Sequence, residues 1–133
     1  MGICLGFQLL FTESEEFCLT KGLDIIKGHV VKFDDKNENI RVPHIGWNMI
    51  KLPENNTWEN TLLKQIDDFT FMYFVHSFYV VPQNYDNVLT ITDYENIRFC
   101  SGIKKDNIYG FQFHPEKSGI NGLKIYHEFN KIL

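Results

Sequence analysis

The run Gly2-Ile3-Cys4-Leu5-Gly6 constrains the fold more than any other stretch of this sequence. Glycines two residues before and two residues after a cysteine are typical of a strand that ends in a sharp turn and enters a helix. A nucleophile at the tip of such a turn has a strained backbone, and the flanking glycines remove Cβ atoms that would block the turn and a substrate. Taken alone, the pattern fits equally well with Cys4 as a small buried apolar residue.

The composition limits the classes of protein that could carry this motif. The chain has 133 residues, of which 44% are hydrophobic and 15% aromatic, enough for one packed domain and too many for a disordered chain. A net charge of −4 without a basic patch argues against a nucleic-acid partner, and the apolar runs are too short to span a membrane. The three cysteines (Cys4, Cys18 and Cys100) are scattered and form no CxxC pair, so we expect a cytoplasmic protein.

Hydrophobic periodicity and turn residues predict an α/β fold. Helices are predicted at 5–11, 58–66 and 119–133. Strands are predicted at 29–33, 49–52, 69–75, 88–92, 97–103 and 108–113. A polar turn is expected at 34–39, and proline and glycine predict a recognition loop at 43–48. The last helix is amphipathic, and its predicted buried stripe consists of Leu123, Ile125, Tyr126, Phe129 and Ile132.

Cys4, His114 and Glu116 together supply a nucleophile, a base and an orienting acid. Pro115 turns the chain out of the last strand, so that His114 and Glu116 can project to the same side. A cysteine thiol has a pKa of about 8.5, and a neighbouring histidine and the start of a helix both favour the thiolate. Glu116 would hold the imidazole in the tautomer that accepts the thiol proton. The backbone N–H of Leu5 is the expected oxyanion donor.

Four segments of the chain resemble the class I, or triad, glutamine amidotransferases. Two of them are the elbow at 2–10 and the run Phe-Gln-Phe-His-Pro-Glu-Lys-Ser at 111–118. The other two, at 43–48 and 73–79, are similar to the glutaminase subunit of imidazole glycerol phosphate synthase. The resemblance implies a three-layer α/β fold with a mixed sheet flanked by helices. Because that family has several strands and helices before its elbow, residues 1–133 would be the C-terminal portion of one such domain, incomplete at the N-terminus.

The resemblance also implies roles for individual residues. Cys4 would form a thioester with glutamine, His114 would move the proton, and Glu116 would orient His114. Gln8 and the main chain at Ser77, Phe78 and Tyr79 would bind the amino-acid end of the substrate. The implied partner-facing residues are Pro43, His44, Gly46, Trp47, Asn48 and Lys117. The implied partner is a (β/α)8-barrel cyclase that uses the ammonia in histidine biosynthesis to form imidazole glycerol phosphate and AICAR, with no metal or other cofactor.

Three alternatives remain open from the sequence. A paralogous glutaminase would supply ammonia to a sugar amidotransferase in surface-polysaccharide synthesis, using the same motifs. A chain without the family's N-terminal half could instead be an inactive fragment or a regulatory interaction domain. A zinc site built from Cys4, His44, His76 and His114 is disfavoured, because the spacings match no compact zinc motif.

Overall fold

The computed structural model describes residues 1–34, 36 and 40–132. Within these residues, the helices are α1 (Leu5–Gln8) and α2 (Gly119–Asn130). The strands are β1 (Gly2–Ile3), β2 (Phe11–Ser14), β3 (Thr20–Lys21), β4 (Ile26–Lys32), β5 (His44–Met49), β6 (Phe71–His76), β7 (Phe78–Pro82), β8 (Val88–Tyr94), β9 (Ile97–Lys105) and β10 (Ile108–Phe111). Single 3-10 turns lie at Tyr85–Asn87 and Pro115–Lys117. The predicted polar turn at 34–39 lies mostly outside the described residues.

In the described part of the chain, eight strands form one mixed sheet in the order β1-β10-β9-β7-β4-β2-β3, with β8 paired to β9. The pairs β1–β10 and β2–β4 are parallel, and the other pairs in this sheet are antiparallel. Because β1 and β10 run in the same direction, their carboxyl ends lie side by side, and the chain leaves β1 at Cys4 and β10 just before His114. The sheet therefore brings the two conspicuous sequence motifs to one edge.

β5 and β6 form a separate two-stranded antiparallel sheet, in which His44 pairs with His76 and Trp47 with Tyr73. The prediction of a recognition loop at 43–48 is therefore wrong, since all but its first residue lie in β5. Proline and glycine misled that prediction: Pro43 precedes the strand after a cis peptide bond, and Gly46 lies within the strand at φ 125°. The predicted strand at 49–52 likewise begins too late, because β5 already ends at Met49.

Two predicted helices are wrong in extent or in kind. α1 ends at Gln8 instead of near residue 11, because Phe11 pairs with Ile26 of β4. Residues 58–66 form successive turns instead of a helix. The Thr61 hydroxyl donates to the Trp58 carbonyl at 2.7 Å and accepts from the Leu63 N–H at 3.1 Å, and such local side-chain bonds compete with the helical ladder.

The described residues form two apolar clusters in the interior. One joins the turns at 58–66 to β6, β9 and α2, and it includes Trp58, whose indole N–H donates to the Leu89 carbonyl at 2.7 Å. The other lies under α1 and includes Phe7 and Phe11. The predicted stripe on α2 is partly wrong: Ile125 is fully buried, but Leu123 and Ile132 are 58% and 55% exposed. No helix in the described ranges is long and apolar enough to cross a membrane.

Candidate active site

Cys4 occupies a strained turn between β1 and α1. Its φ of 50° and ψ of −107° are unusual for a residue with a Cβ atom. The Cys4 N–H donates to the Phe111 carbonyl at 2.8 Å, which anchors the turn to β10. A Cβ at Gly2 would lie 2.5 Å from the Gly6 carbonyl oxygen, whereas a Cβ at Gly6 would meet nothing within 4 Å. The turn itself therefore requires the first glycine of the motif but not the second.

His114 and Glu116 lie just beyond the end of β10. His114 Nδ1 is 2.6 Å from Glu116 Oε1, and the Tyr126 hydroxyl of α2 donates to Glu116 Oε2 at 3.4 Å. Burial raises the pKa of Glu116, but the hydrogen bond with His114 and further polar contacts outweigh burial and lower it overall. His114 Nε2 is buried and has no hydrogen-bond partner among the described residues. The imidazole thus has one nitrogen held by a carboxylate and the other available to accept a proton.

A hydroxyl and a glycine that the sequence reasoning did not single out hold this turn in place. The Ser118 hydroxyl donates to the His114 carbonyl at 2.6 Å and accepts the Tyr73 N–H at 3.0 Å, so it joins β6 to the turn. α2 packs so closely that a Cβ at Gly122 would lie 1.8 Å from the Pro115 carbonyl oxygen. The only sequence signal for these supports is a serine and a glycine near the start of a helix.

The surroundings of the Cys4 thiol raise its pKa, contrary to the predicted preference for the thiolate. Burial has the largest effect, the backbone N–H of Leu5 opposes it, and the charges of Glu116 and Glu16 raise the pKa further. The sulfur also contacts the Gln112 amide nitrogen and the Val75 carbonyl oxygen, both at 3.8 Å. The thiol is therefore held in its protonated form until a base removes the proton.

Gln8 connects the nucleophile's helix to two other elements. Its amide nitrogen donates to the Phe78 carbonyl and to Gln112 Oε1, both at 3.0 Å. Gln8 and Gln112 are both buried. Gln8 thus lies close to the nucleophile through Gln112, and its amide N–H groups are used within the protein, so the substrate-binding role that the resemblance gives it stays a prediction.

The segment Ser77–Tyr79 reaches the site through one carbonyl group. The Phe78 carbonyl accepts from Gln8, while the Ser77 carbonyl accepts the Phe33 N–H at 3.0 Å and so serves the fold. The Tyr79 ring lies 4.7 Å from the Phe33 ring and packs in the interior. The binding roles that the resemblance gives to these residues stay a prediction.

A cavity of about 180 Å³ opens beside α1. Its lining includes Leu5, Gln8 and Glu16, together with Thr20 and Lys21. The sequence alone does not single out Glu16 as a site residue. The acidic run at 13–16 could be recognised as part of a binding site only once the fold showed that it lines the same cavity as Leu5 and Gln8.

The predicted partner-facing residues divide into an exposed and a buried group. Trp47 is 56% exposed on β5 beside Tyr73, whose ring lies 5.8 Å from the Lys117 ammonium group. His44 lies beneath this surface at 3% exposure, and the Asn48 amide donates to the Asp93 carbonyl at 2.9 Å. Pro43 is exposed and Gly46 is half-buried. Direct contact with a partner is therefore open to Pro43, Trp47 and Lys117 but not to His44.

A larger cavity, of about 780 Å³, lies away from these groups, between the loop 53–56 and β8 and β9. Cys100 lines it, but burial raises the pKa of this thiol to about 12, and the thiol donates to the Gly102 carbonyl. The smaller cavity beside α1, which is lined by Leu5, the residue after Cys4, is therefore the better candidate for a substrate site. Within the ranges that the structure describes, no group of three or more His, Cys, Asp or Glu side chains is arranged to hold a metal ion.

Residues 1–130 match the family described as glutamine amidotransferase class-I. This chain belongs to the class I glutamine amidotransferase family. The mixed sheet and the α/β fold that the resemblance implied are thereby confirmed.

Curated relatives show which members of this family the chain resembles. The chain is 47% identical to imidazole glycerol phosphate synthase subunit HisH of Pyrococcus furiosus, over 99% of this chain and 64% of that relative. It is 46% identical to the protein of the same name from Methanocaldococcus jannaschii, over 100% of this chain and 63% of that relative. The chain thus spans somewhat less than two thirds of the length of these relatives.

A solved structure shows the same fold. It is that of a protein provisionally assigned to GMP synthase, from Thermoplasma acidophilum, which superimposes with a TM-score of 0.65 at 19% identity. The match covers 98% of this chain and 55% of the other. At this identity the likeness concerns the fold alone.

Proposed function

We propose that this chain carries the glutamine-hydrolysing site of an imidazole glycerol phosphate synthase, which releases ammonia for a cyclase subunit. One observation carries the proposal: the strained Cys4 and the unpartnered Nε2 of His114 lie at the same edge of the sheet, among the residues that the structure describes. The names of the relatives support the histidine-pathway assignment over the sugar-amidotransferase alternative.

The proposed reaction uses the two ring nitrogens of His114 for different purposes. Because Glu116 accepts from Nδ1, the Nε2 lone pair is free to take the Cys4 thiol proton. The thiolate attacks the side-chain carbonyl carbon of glutamine, and the Leu5 N–H stabilises the oxyanion. His114 returns the proton to the departing nitrogen as the C–N bond breaks, which gives ammonia and a thioester. His114 then takes a proton from water, which attacks the thioester to give glutamate and restore the thiol.

The raised pKa of Cys4 suits this order of events. A neutral thiol at the same edge of the sheet as a free imidazole nitrogen would transfer its proton when the electrophilic carbon is in place, so the resting site is not a reactive thiolate. Keeping Cys4 reduced requires a reducing compartment, and the three free cysteines fit the cytoplasm.

The cavity beside α1 would receive the amino-acid end of glutamine. The carboxylate of Glu16 complements an α-ammonium group, and the Gln8 side chain, which also lines the cavity, has its amide oxygen left to accept from the substrate. The charge of Glu16 also contributes to the raised pKa of Cys4, which is consistent with a cavity close to the nucleophile.

The exposed face of β5 and β6 would bind the cyclase. Ile45, Trp47 and Phe71 are each more than half exposed on this two-stranded sheet. Solvent-exposed large apolar side chains in a contiguous patch are typical of protein interfaces. The neighbouring Lys117 places a cation beside the patch, next to the turn that holds His114. A (β/α)8-barrel docked here would receive ammonia close to where it forms.

A glutamine hydrolysis assay tests the proposal, run on the full chain with and without the cyclase. We expect glutamate release that is lost in Cys4→Ala and kept in Cys18→Ala, because Cys18 is exposed and is not among the residues that line the cavity. Activity that survives Cys4→Ala would refute the assigned nucleophile. Absence of hydrolysis in the wild-type chain with its cyclase would refute the function.

A further inference from the structure

Two buried histidines form a polar connection that the proposed reaction does not use. His44 Nδ1 lies 2.9 Å from His76 Nε2, and both side chains are buried, at 3% and 6% exposure. His44 is stacked between the rings of Tyr94 and Phe74, with centroids at 3.9 and 4.9 Å. A polar pair this deep in an aromatic cluster costs stability unless its hydrogen bonds are satisfied.

The acceptors fix the tautomer of each ring. His76 Nδ1 lies 2.7 Å from the Phe78 carbonyl oxygen, which can only accept, so Nδ1 carries the hydrogen. Burial lowers the pKa of His76 to about 3 and that of His44 to about 4, so both rings are neutral at neutral pH. His76 Nε2 is then an acceptor, and His44 Nδ1 donates to it.

Asn48 completes the far end of the connection. Its amide nitrogen donates to the Asp93 carbonyl at 2.9 Å and lies 3.3 Å from His44 Nε2, the remaining lone pair of that ring. The Asn48 carbonyl oxygen accepts the Met49 N–H at 2.8 Å, which fixes the orientation of the amide. The hydrogen bonds therefore all run in one direction, from the Asn48 amide through His44 and His76 to the Phe78 carbonyl.

The near end reaches the nucleophile. The Phe78 carbonyl accepts from His76 and from Gln8, so both of its lone pairs are used. Gln8 donates its second hydrogen to Gln112 Oε1, and the Gln112 amide nitrogen is 3.8 Å from Cys4 Sγ. The chain of contacts is continuous from β5 to the thiol.

We propose that His44 and His76 are positioning residues of the glutamine-hydrolysing site, which hold the Phe78 carbonyl and thereby fix Gln8 and Gln112 beside Cys4. The proposal rests on the proposed function for its kinetic consequences, while the arrangement of hydrogens can be tested without it. The two histidines touch no reacting atom and act through Phe78 and the two glutamines.

The matched pair His76→Asn and His76→Leu tests the proposal. Asparagine and leucine are similar in size, but only asparagine can place an N–H group where Nδ1 donates to Phe78. In the full chain with its cyclase, we expect His76→Leu to lower kcat/KM for glutamine at least about tenfold, and His76→Asn to recover most of it. Leucine should also slow alkylation of Cys4 by iodoacetamide, because a misplaced Gln112 no longer donates to the sulfur.

A second pair of variants, at His44, covers the case in which a His76 variant fails to fold. His44→Phe keeps the stacked ring but leaves His76 Nε2 without its donor, whereas His44→Asn keeps a donor at the position of Nδ1. Thermal unfolding of all four variants identifies those that are folded, and the comparison is made among these. Equal kinetics and equal alkylation rates within each pair would overturn the proposal.

Nitrogen NMR of the wild-type chain gives a direct test. In ¹⁵N-labelled protein at pH 7, we expect His44 and His76 to carry hydrogen on Nδ1, the opposite of the tautomer that usually prevails in free imidazole side chains. Hydrogen on Nε2 of His76 would overturn the proposal. If the wild-type chain does not hydrolyse glutamine, the proposed function fails, and the alkylation rates and NMR spectra still decide the positioning role.

Discussion

The amide nitrogen of the fully buried Gln112 lies 3.8 Å from the sulfur of Cys4. The nucleophile therefore rests against a neutral amide, with carboxylates near enough to affect its proton but no lysine or arginine among the described groups that shift its pKa. Burial and these carboxylates raise the pKa of the thiol by more than the Leu5 N–H and the Gln112 amide lower it, so the thiol is held in its neutral form, and this has consequences that can be measured.

We expect the pH at which Cys4 is half-ionised to lie above that of an ordinary thiol, and to fall when either nearby carboxylate is neutralised. Negative charge at Glu116 and Glu16 disfavours the thiolate, so Glu116→Gln and Glu16→Gln should each lower the pKa of Cys4. The measurement is the rate of alkylation by iodoacetamide against pH, followed by mass spectrometry in a Cys18→Ser background. The exposed Glu59→Gln is the control, and a profile that neither site variant moves would contradict the expectation.

Neutralising the carboxylate next to His114 should also reduce the rate of catalysis. The 2.6 Å contact with Glu116 keeps the free lone pair on His114 Nε2, so we expect Glu116→Gln to lower kcat for glutamine hydrolysis by about 10²- to 10⁴-fold. Tyr126→Phe removes only the longer 3.4 Å contact with Glu116 and should stay within about threefold of wild type. Wild-type kcat in Glu116→Gln would remove Glu116 from the mechanism.

A methyl group at Gly122 should destabilise the protein even though it improves helix propensity. The added Cβ would lie 1.8 Å from the Pro115 carbonyl, so α2 must move away from the turn that carries His114 and Glu116. Propensity alone predicts a gain of about 1 kcal/mol, whereas overpacking predicts a net loss of about 1–3 kcal/mol.

Urea denaturation of Gly122→Ala measures the sign of this effect. The matched control is Leu123→Ala, which shortens an exposed side chain in the same turn of α2 and should change stability by less than about 0.5 kcal/mol. A stabilised Gly122→Ala would mean that α2 does not pack closely against Pro115.

Stability should fall as the pH is lowered from about 6.5 towards about 4, because of the buried histidine pair. The folded-state pKa values of His44 and His76 are about 4 and about 3, while in the unfolded chain both lie near 6.5, so the unfolded state binds more protons in this window. The loss should reach at most about 2 kcal/mol per histidine at pH 5. Urea midpoints at pH 7 and pH 5 measure it.

His44→Phe serves as the test of this assignment, and His127→Gln as its control. Removing His44 should flatten the pH dependence, even if the variant is less stable at pH 7. His127 is exposed on α2, so its replacement should leave the slope unchanged. An unaltered slope in His44→Phe would mean that other groups cause the acid sensitivity.

The catalytic motifs could be predicted from the sequence because their chemistry is local. Glycine two residues before Cys4 predicts a tight turn without any knowledge of the fold, and His114 and Glu116 are only two residues apart. Most strands were also predictable, since β6, β8 and β9 are rich in β-branched and aromatic residues. These features depend on neighbours within a few positions.

The sequence could not predict features that depend on residues far apart in the chain. His44 follows Pro43 and so resembles a loop residue, yet its ring is buried because Tyr94, fifty residues later, packs over it. The apolar positions of 58–66 fit a helix as well as they fit turns, and the choice falls to threonine hydroxyls that bind the local backbone. The same limit applies to Glu16, whose position beside Cys4 follows from the path of the chain between α1 and β3.

β1 has only two residues, and the Cys4 N–H adds one more bond to β10 beyond them. The left-handed backbone of the nucleophile is therefore held by a very short ladder. Brief opening of these few bonds would let Cys4 relax to an ordinary conformation, at a much smaller free-energy cost than unfolding the core. Heat or mild denaturant should consequently abolish glutamine hydrolysis while the rest of the sheet still gives a native circular dichroism spectrum. We therefore expect the lifetime of activity and the lifetime of the fold to be separate quantities in this protein.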